Sequence, residues 1–296
     1  MCSKKKLVVL LLTSIMSVST WGQLGDLARI DYTILPSSAD FEFNRLRFLF
    51  NYPIKLDGKQ SYLFLGLDYS NINVIYGSGT PRPFDIEDLN GFQLLDLNIA
   101  YTQKLRNDWR LGLRFTPGIS SNLRADELTF DDVFFSGDAV FIKDKKDDTT
   151  LKRPYRLILG VSYSQNRGFP FPLPFVSYYR KFHPNWSFNL GVPKTNLQYH
   201  FSKQNRLKLF AQLDGFTSNI QSGVTLDNGV AEQINMSLIL TGLQYEYHIG
   251  DHVEFSVRTS YILDRNVNLR DSNNDDLLLI DDSNGLSLRA VLRFKI

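Results

Sequence analysis

From Trp109 to Thr116 the chain alternates without a break. Trp109, Leu111, Leu113 and Phe115 are apolar, while Arg110, Gly112, Arg114 and Thr116 are charged, small or polar. Successive side chains point to opposite faces of a strand, so this segment has one apolar face and one wet face. Similar stretches recur along the whole chain and predict an all-β protein of about 14 strands, within a range of 12–16. They lie near residues 27–35, 43–54, 61–73, 91–104, 109–118, 132–143, 154–164, 171–181, 186–192, 196–202, 207–214, 234–248, 253–262 and 286–296.

The connections are of two kinds. Short polar turns are expected at Asp57-Gly58-Lys59, Arg106-Asn107-Asp108, His183-Pro184-Asn185, Lys203-Gln204-Asn205 and Gly250-Asp251. Longer loops are expected at 74–90, 119–131, 215–233 and 263–285. The two kinds mostly alternate, except that 144–153 is long and 193–195 short for its place. Short turns on one side and long loops on the other are the asymmetry of a transmembrane β-barrel.

Alternation alone would also suit a soluble β-sandwich. The aromatics favour the barrel. Tyr52, Tyr101, Trp109, Tyr155, Trp186 and Tyr247 all carry the apolar parity of their strands, and all lie close to the short turns. A ring with a polar tip is favoured at the headgroup level, so these six form a predicted aromatic girdle.

The N-terminus reads as a signal peptide over residues 1–22, leaving 23–296 as one barrel domain. Lys4, Lys5 and Lys6 precede an apolar run from Leu7 to Met16, too short to span a bilayer. Small residues Thr20 and Gly22 place cleavage near Gly22-Gln23. Cys2 precedes the apolar run, where no lipid anchor is expected. Cleavage removes the single cysteine and three lysines, so 33 Lys and Arg fall to 30 against 31 acidic residues. Near-neutral charge argues against nucleic-acid binding, and the loss of cysteine removes disulfide and thiolate-metal chemistry. No later run is long and apolar enough for a transmembrane helix.

The last segment repeats the pattern. Leu286, Leu288, Ala290, Leu292, Phe294 and Ile296 share one face, and Ser287, Arg289, Arg293 and Lys295 the other, with Val291 as the exception. This segment resembles the closing strand of outer-membrane barrels, which carries an apolar-alternating assembly signal. The whole layout resembles an uncharacterised, domain-of-unknown-function family of outer-membrane β-barrels of Gram-negative bacteria. The resemblance spans essentially all of residues 23–296. It implies a single antiparallel up-and-down transmembrane barrel in the outer membrane. Its surroundings would be outer-membrane lipid and lipopolysaccharide, and its assembly partners the barrel assembly machinery and periplasmic chaperones. It implies no activity, and the oligomeric state stays open.

If the apolar face meets lipid, the other face lines the lumen. That parity carries Arg45, Arg47, Asp96, Arg110, Arg114, Arg156, Lys208, Glu254, Arg258, Arg289 and Arg293, together with Asn98, Asp214 and Lys295. Cations outnumber carboxylates there, so a water-filled lumen would favour anions. The expected function is a passive or gated channel for small solutes. The alternative is a closed structural or surface-binding barrel acting through its long outer loops.

Other motifs point to less. Gly168-Phe169-Pro170-Phe171-Pro172-Leu173-Pro174-Phe175 puts prolines on one parity and large apolar residues on the other, a poor central strand because proline cannot donate to a ladder. It reads either as a stiff strand extension or as an apolar loop gripping a hydrophobic ligand. Asp271-x-Asn273-x-Asp275 begins like a calcium loop, but Asp276 and Asp282 occupy the positions that need Gly and Glu. Leu277 to Ile280 is an apolar patch inside the same predicted loop, either a strand extension or a segment folded into the lumen. His200 and Ser202 share a strand face, with no identifiable third residue and no G-x-S-x-G motif. No enzymatic activity, cofactor or metal is expected.

Overall fold

The computed structural model describes residues 26–36, 41–56, 60–76, 83–124, 127–146, 148, 150–169 and 171–295. The signal segment, the turn at 57–59 and Ile296 lie outside the described residues. Among the described residues fifteen strands form one sheet, antiparallel between neighbours around the ring. They are β1 Asp26–Pro36, β2 Phe41–Leu56, β3 Ser61–Tyr76, β4 Phe92–Lys104, β5 Trp109–Ser121, β6 Val133–Lys145, β7 Tyr155–Ser164 and β8 Leu173–His183. The chain continues through β9 Trp186–Val192, β10 Lys194–His200, β11 Asn205–Leu226, β12 Gly229–Ile249, β13 Val253–Arg270, β14 Asp276–Asp281 and β15 Gly285–Lys295. Each strand pairs with its sequence neighbour up to β13, which pairs with β15, and β15 pairs with β1 at Asp31 and Val291. The ring is therefore closed by fourteen strands, and β14 pairs with β13 alone. Among the described residues no helix is long and apolar enough to cross a membrane.

Strand parity decides what each side chain meets. Leu113 and Phe115 of β5 stand outside, 43% and 52% exposed, whereas Arg114 between them turns inward and pairs with Asp138 of β6. Phe48, Phe50, Leu67, Leu97, Phe141 and Leu209 continue this apolar exterior around the ring. Such a surface is stable against hydrocarbon and costly against water.

Two predicted loops are strands. Residues 215–233 form the upper halves of β11 and β12, which pair from Asn205 and Tyr247 up to Leu226 and Gly229. A two-residue turn, Asp227-Asn228, joins them, and Gly229 follows at φ 152°. Residues 263–285 form the top of β13 and all of β14, so Leu277 to Ile280 is a strand extension paired with β13. Alternation fails here for a physical reason. From Phe216 to Gln221 every side chain is buried, so neither face of that stretch is free to be polar and wet.

The upper part of this long hairpin leans across the mouth of the barrel. Asn219 of β11 aligns with Ser121 of β5 on the opposite wall, and Ser120 Oγ donates to the Thr217 carbonyl at 2.8 Å. Beneath the hairpin lies a dry core. Phe216, Ile220, Ile234 and Met236 pack with Phe43, Ile72 and Phe92 from β2, β3 and β4, all nearly inaccessible. Burying each such side chain contributes on the order of 1.5–3 kcal/mol. The long-loop end is thus closed by an apolar cap.

Candidate functional site: a cationic chamber under the cap

Below the cap the interior turns polar and holds two cavities. The upper one, about 420 Å³, carries nine cationic side chains against three carboxylates, Asp68, Asp96 and Asp214. The lower one, about 450 Å³, runs toward the short-turn end. Both are bordered by Arg29, Arg47, Asp68, Arg114, Arg167 and Phe175, which form the waist between them.

Most of these cations are held by partners. Arg45 grips Asp214 with two bonds of 3.2 Å. Arg47 binds Asp68 in the same two-pronged way, and Arg289 reaches both Asp31 at 2.8 Å and Asp214 at 3.5 Å. Arg29 pairs with Asp31 at 3.0 Å. Such pairing fixes the long side chains in place, and bidentate geometry does so most firmly. Three cations have no carboxylate within ion-pair distance among the described residues. Arg258 donates to the amide oxygens of Gln244 and Gln212 at 2.7 and 3.0 Å and lies over the Phe210 ring. The Lys194 ammonium stands 5.7 Å from the same ring. Arg167 has no hydrogen-bond partner among the described residues and faces both cavities.

Arg45, Arg47, Asp96, Arg114, Arg258, Arg289 and Arg293 border the upper cavity. Arg110 and Arg156 lie outside both cavities, Arg110 donating to the Gln60 carbonyl and Thr102 at 3.1 Å. Lys208 and Glu254 are packed into a charged layer at the short-turn end. There Lys208 pairs with Glu246, and Lys295 and Arg293 with Glu254. Arg29, Asp31, Asp68, Asp138, Lys194 and Arg167 escaped the sequence reading. Even-numbered alternation from Gly66 to Ser70 carries a signal for Asp68, but Arg167 lies between β7 and β8, where strand parity says nothing. Tyr52, Tyr101, Trp109, Tyr155, Trp186 and Tyr247 stand on the outer parity of their strands, near the short turns. Around Trp186 the aromatic patch extends to Tyr199 and Phe201, with ring centroids 4.8 and 4.7 Å apart in sequence.

Two chemistries suggested by residue type lose their force in the structure. His200 Nε2 meets Ser187 Oγ at 2.8 Å, while Ser202 instead accepts from the backbone of Gln204 and Asn205 in the turn. Ser187 is fully enclosed, so no substrate carbonyl can reach its hydroxyl. Glu246, His248 and Glu254 offer ligand atoms within 4.8 Å of one another. Both carboxylates, however, are already occupied by lysines, and those positive charges oppose a metal ion. The Asp271 carboxylate holds its own turn, accepting from the backbone of Asn273 and Asp275 at 2.9 Å.

Several bonds tie the cap to the β5 side, and one set of them converges on a carboxylate. Asp132, buried in the outer connection between β5 and β6, accepts from Asn219 Nδ2 at 2.7 Å and Gln221 Nε2 at 2.8 Å on the hairpin. It also accepts from the Thr129 backbone at 2.9 Å. Burial pushes its pKa up, but these donors together outweigh burial and hold it below the ordinary 3.8.

A closed antiparallel ring with an apolar exterior and a charged interior defines the class: a β-barrel of the outer-membrane type. The chain belongs to the family described as "Domain of unknown function (DUF6268)", whose profile matches residues 65–295. Among curated proteins, none matches the chain in sequence. Solved structures of similar fold include the KdgM porin in complex with disordered oligogalacturonate, at 8% identity and a TM-score of 0.38, covering 90% of this chain and 99% of that one. The NanC porin is similar at 10% identity and a TM-score of 0.37, covering 91% and 98%. LpxR from Salmonella typhimurium is similar at 10% identity and a TM-score of 0.39, covering 90% and 99%.

Proposed function

We propose that the protein is an outer-membrane conduit for small anionic solutes, held shut at its outer mouth by the β11–β12 hairpin. One observation carries this reading: nine cations and three carboxylates line the upper cavity, and three of those cations, Arg167, Lys194 and Arg258, have no carboxylate within ion-pair distance among the described residues. A cationic wall around confined water raises the local concentration of anions and repels cations. Arg167 and Lys194, lacking carboxylate partners, are the groups free to receive a passing anion. The apolar cap supports a gated rather than an open pore.

The test is conductance of the refolded full chain in a planar bilayer under a KCl gradient. Rare openings with a reversal potential on the chloride side are expected. Shortening the hairpin across 219–232 should make the openings frequent while keeping that sign. A cation-selective reversal potential would overturn the reading. The cap also favours a second reading, a closed barrel that binds at its outer surface. Silence of both the full chain and the shortened variant would establish that one instead.

A further inference from the structure

The upper cavity does not stop at the inner face of the wall. It also borders Pro174 and Leu213, which carry the outward parity of β8 and β11, and Pro193 at the β9–β10 turn. The ladder explains why. β9 and β10 are only seven residues each, and Pro193 alone joins them. β8 pairs with β9 no higher than Val176, and β10 pairs with β11 no higher than Gln212. Above the short hairpin, Leu173 to Phe175 and the continuing β11 face each other with no strand between them.

The gap is bounded from above. The segment after β7 crosses from β7 to β11, where the Asn166 carbonyl accepts from the Thr217 backbone at 3.2 Å. The Gly168 carbonyl accepts from Asn235 Nδ2 at 3.2 Å. Gly168 and Gly215 make this crossing possible, since a Cβ on either would fall about 2 Å from the Met236 carbonyl. The result is a framed window rather than a frayed edge.

Its depth and lining indicate what it meets. Val161, paired with Pro174, lies six residues above Tyr155, roughly 20 Å along a strand. With strands tilted as in such barrels, that is within the apolar belt. Val161 and Leu209, on the flanking outer faces, are exposed and apolar. Irregular backbone at lipid depth is tolerated where it lines a cavity. Pro172, Pro174 and Pro193 lack an N–H, which reduces the unpaired donors along the gap. On the inner side stand Arg167 and Lys194, with Leu173 and Phe175 on the inward parity of β8, and Phe171, half exposed, stands at the rim.

Resting on the reading of the cavity as an anion site, we infer that this window binds a single-chain amphiphilic anion. Its charged head lies with Arg167 and Lys194, and its apolar chain passes from Leu173 over the exposed Phe171 toward the bilayer. A head-only anion would leave the aromatic rim unused, and an apolar ligand would leave the cations unpaired. The cavity volume lies within the range of ordinary ligand sites.

Equilibrium binding tests this without any ion flow. The full chain, refolded in a neutral detergent, is titrated with cis-parinarate, a fluorescent eighteen-carbon carboxylate. Saturable binding is expected, displaced by dodecanoate but not by butyrate. Arg167→Gln and Phe171→Ser should each raise Kd roughly tenfold or more. Heat-modifiable migration on gels reports that both variants fold. An unsaturable signal, equal affinity for parinaryl alcohol, or unchanged Kd in both folded variants would overturn the inference. A protein that binds parinarate but never conducts keeps the window and loses the conduit. One that conducts but does not bind loses the window alone.

Discussion

Leu113 and Arg114 are neighbours in the chain and face different solvents. Leu113→Arg places a charge in the lipid belt and should cost about 2–4 kcal/mol near the midplane, measured as a lower midpoint in urea titration of folding into vesicles. Arg114→Leu breaks the pair with Asp138, but Arg114 is only half-buried and both groups border cavity water. Its cost should stay within about 1 kcal/mol, the range of solvated ion pairs. Equal losses from the two substitutions would reverse the assignment of faces. Phe216 tests the dry core differently. It is almost fully buried at the base of the cap, so Phe216→Ala should cost about 3–5 kcal/mol by the same titration, with the cap loosened.

At the scale of elements, the gate proposed for the hairpin predicts a response to acid through its latch. Asp132 is held as a carboxylate by the hairpin's amides, so its pKa in the latched state lies below the ordinary 3.8. A depressed pKa stabilises the latched state above the unlatched value and loses that contribution as pH falls through the latched one. Openings should therefore become more frequent as pH drops below about 4. Asp132→Ala should open the pore already at neutral pH, by roughly ten- to a hundredfold, given about 1.5–3 kcal/mol for hydrogen bonds to a charged group. Conductance recorded from pH 7 to 3 decides this, and a response unchanged in Asp132→Ala would place the sensor elsewhere. Elements of this kind were only partly legible in the sequence. Where one face met lipid and the other the lumen, as in β5, alternation gave the strand and its orientation together. Where both faces are buried, as from Phe216 to Gln221, alternation vanished and a loop was expected in place of a cap. The Asp227-Asn228-Gly229 run held a turn signal, since Asp, Asn and Gly are residues that favour turns. Parity put Arg45, Arg47, Arg114, Arg258, Arg289 and Arg293 on the inward face, and these border the upper cavity, whereas Arg110 and Arg156 do not. Arg167 could not be placed by parity, because its position depends on a segment crossing between distant strands.

Across the whole molecule, wall strength is uneven. β11 and β12 run 22 and 21 residues, whereas β9 and β10 run seven each and end beneath a gap in the ladder. Backbone bonds between neighbours are what resist extraction from a bilayer, where a broken pair finds no water to replace it. Pulled from one end by a cantilever, the barrel should therefore yield hairpin by hairpin, with β9–β10 leaving at the lowest force and β11–β12 at the highest. A uniform force ladder would mean that the gap is bridged in the membrane. Mechanically the barrel is a stiff staple of long strands facing a short hinge. Lateral pressure on the bilayer would be taken up at that hinge, so membrane tension would set how wide the wall stands open, independently of the acid-sensitive cap.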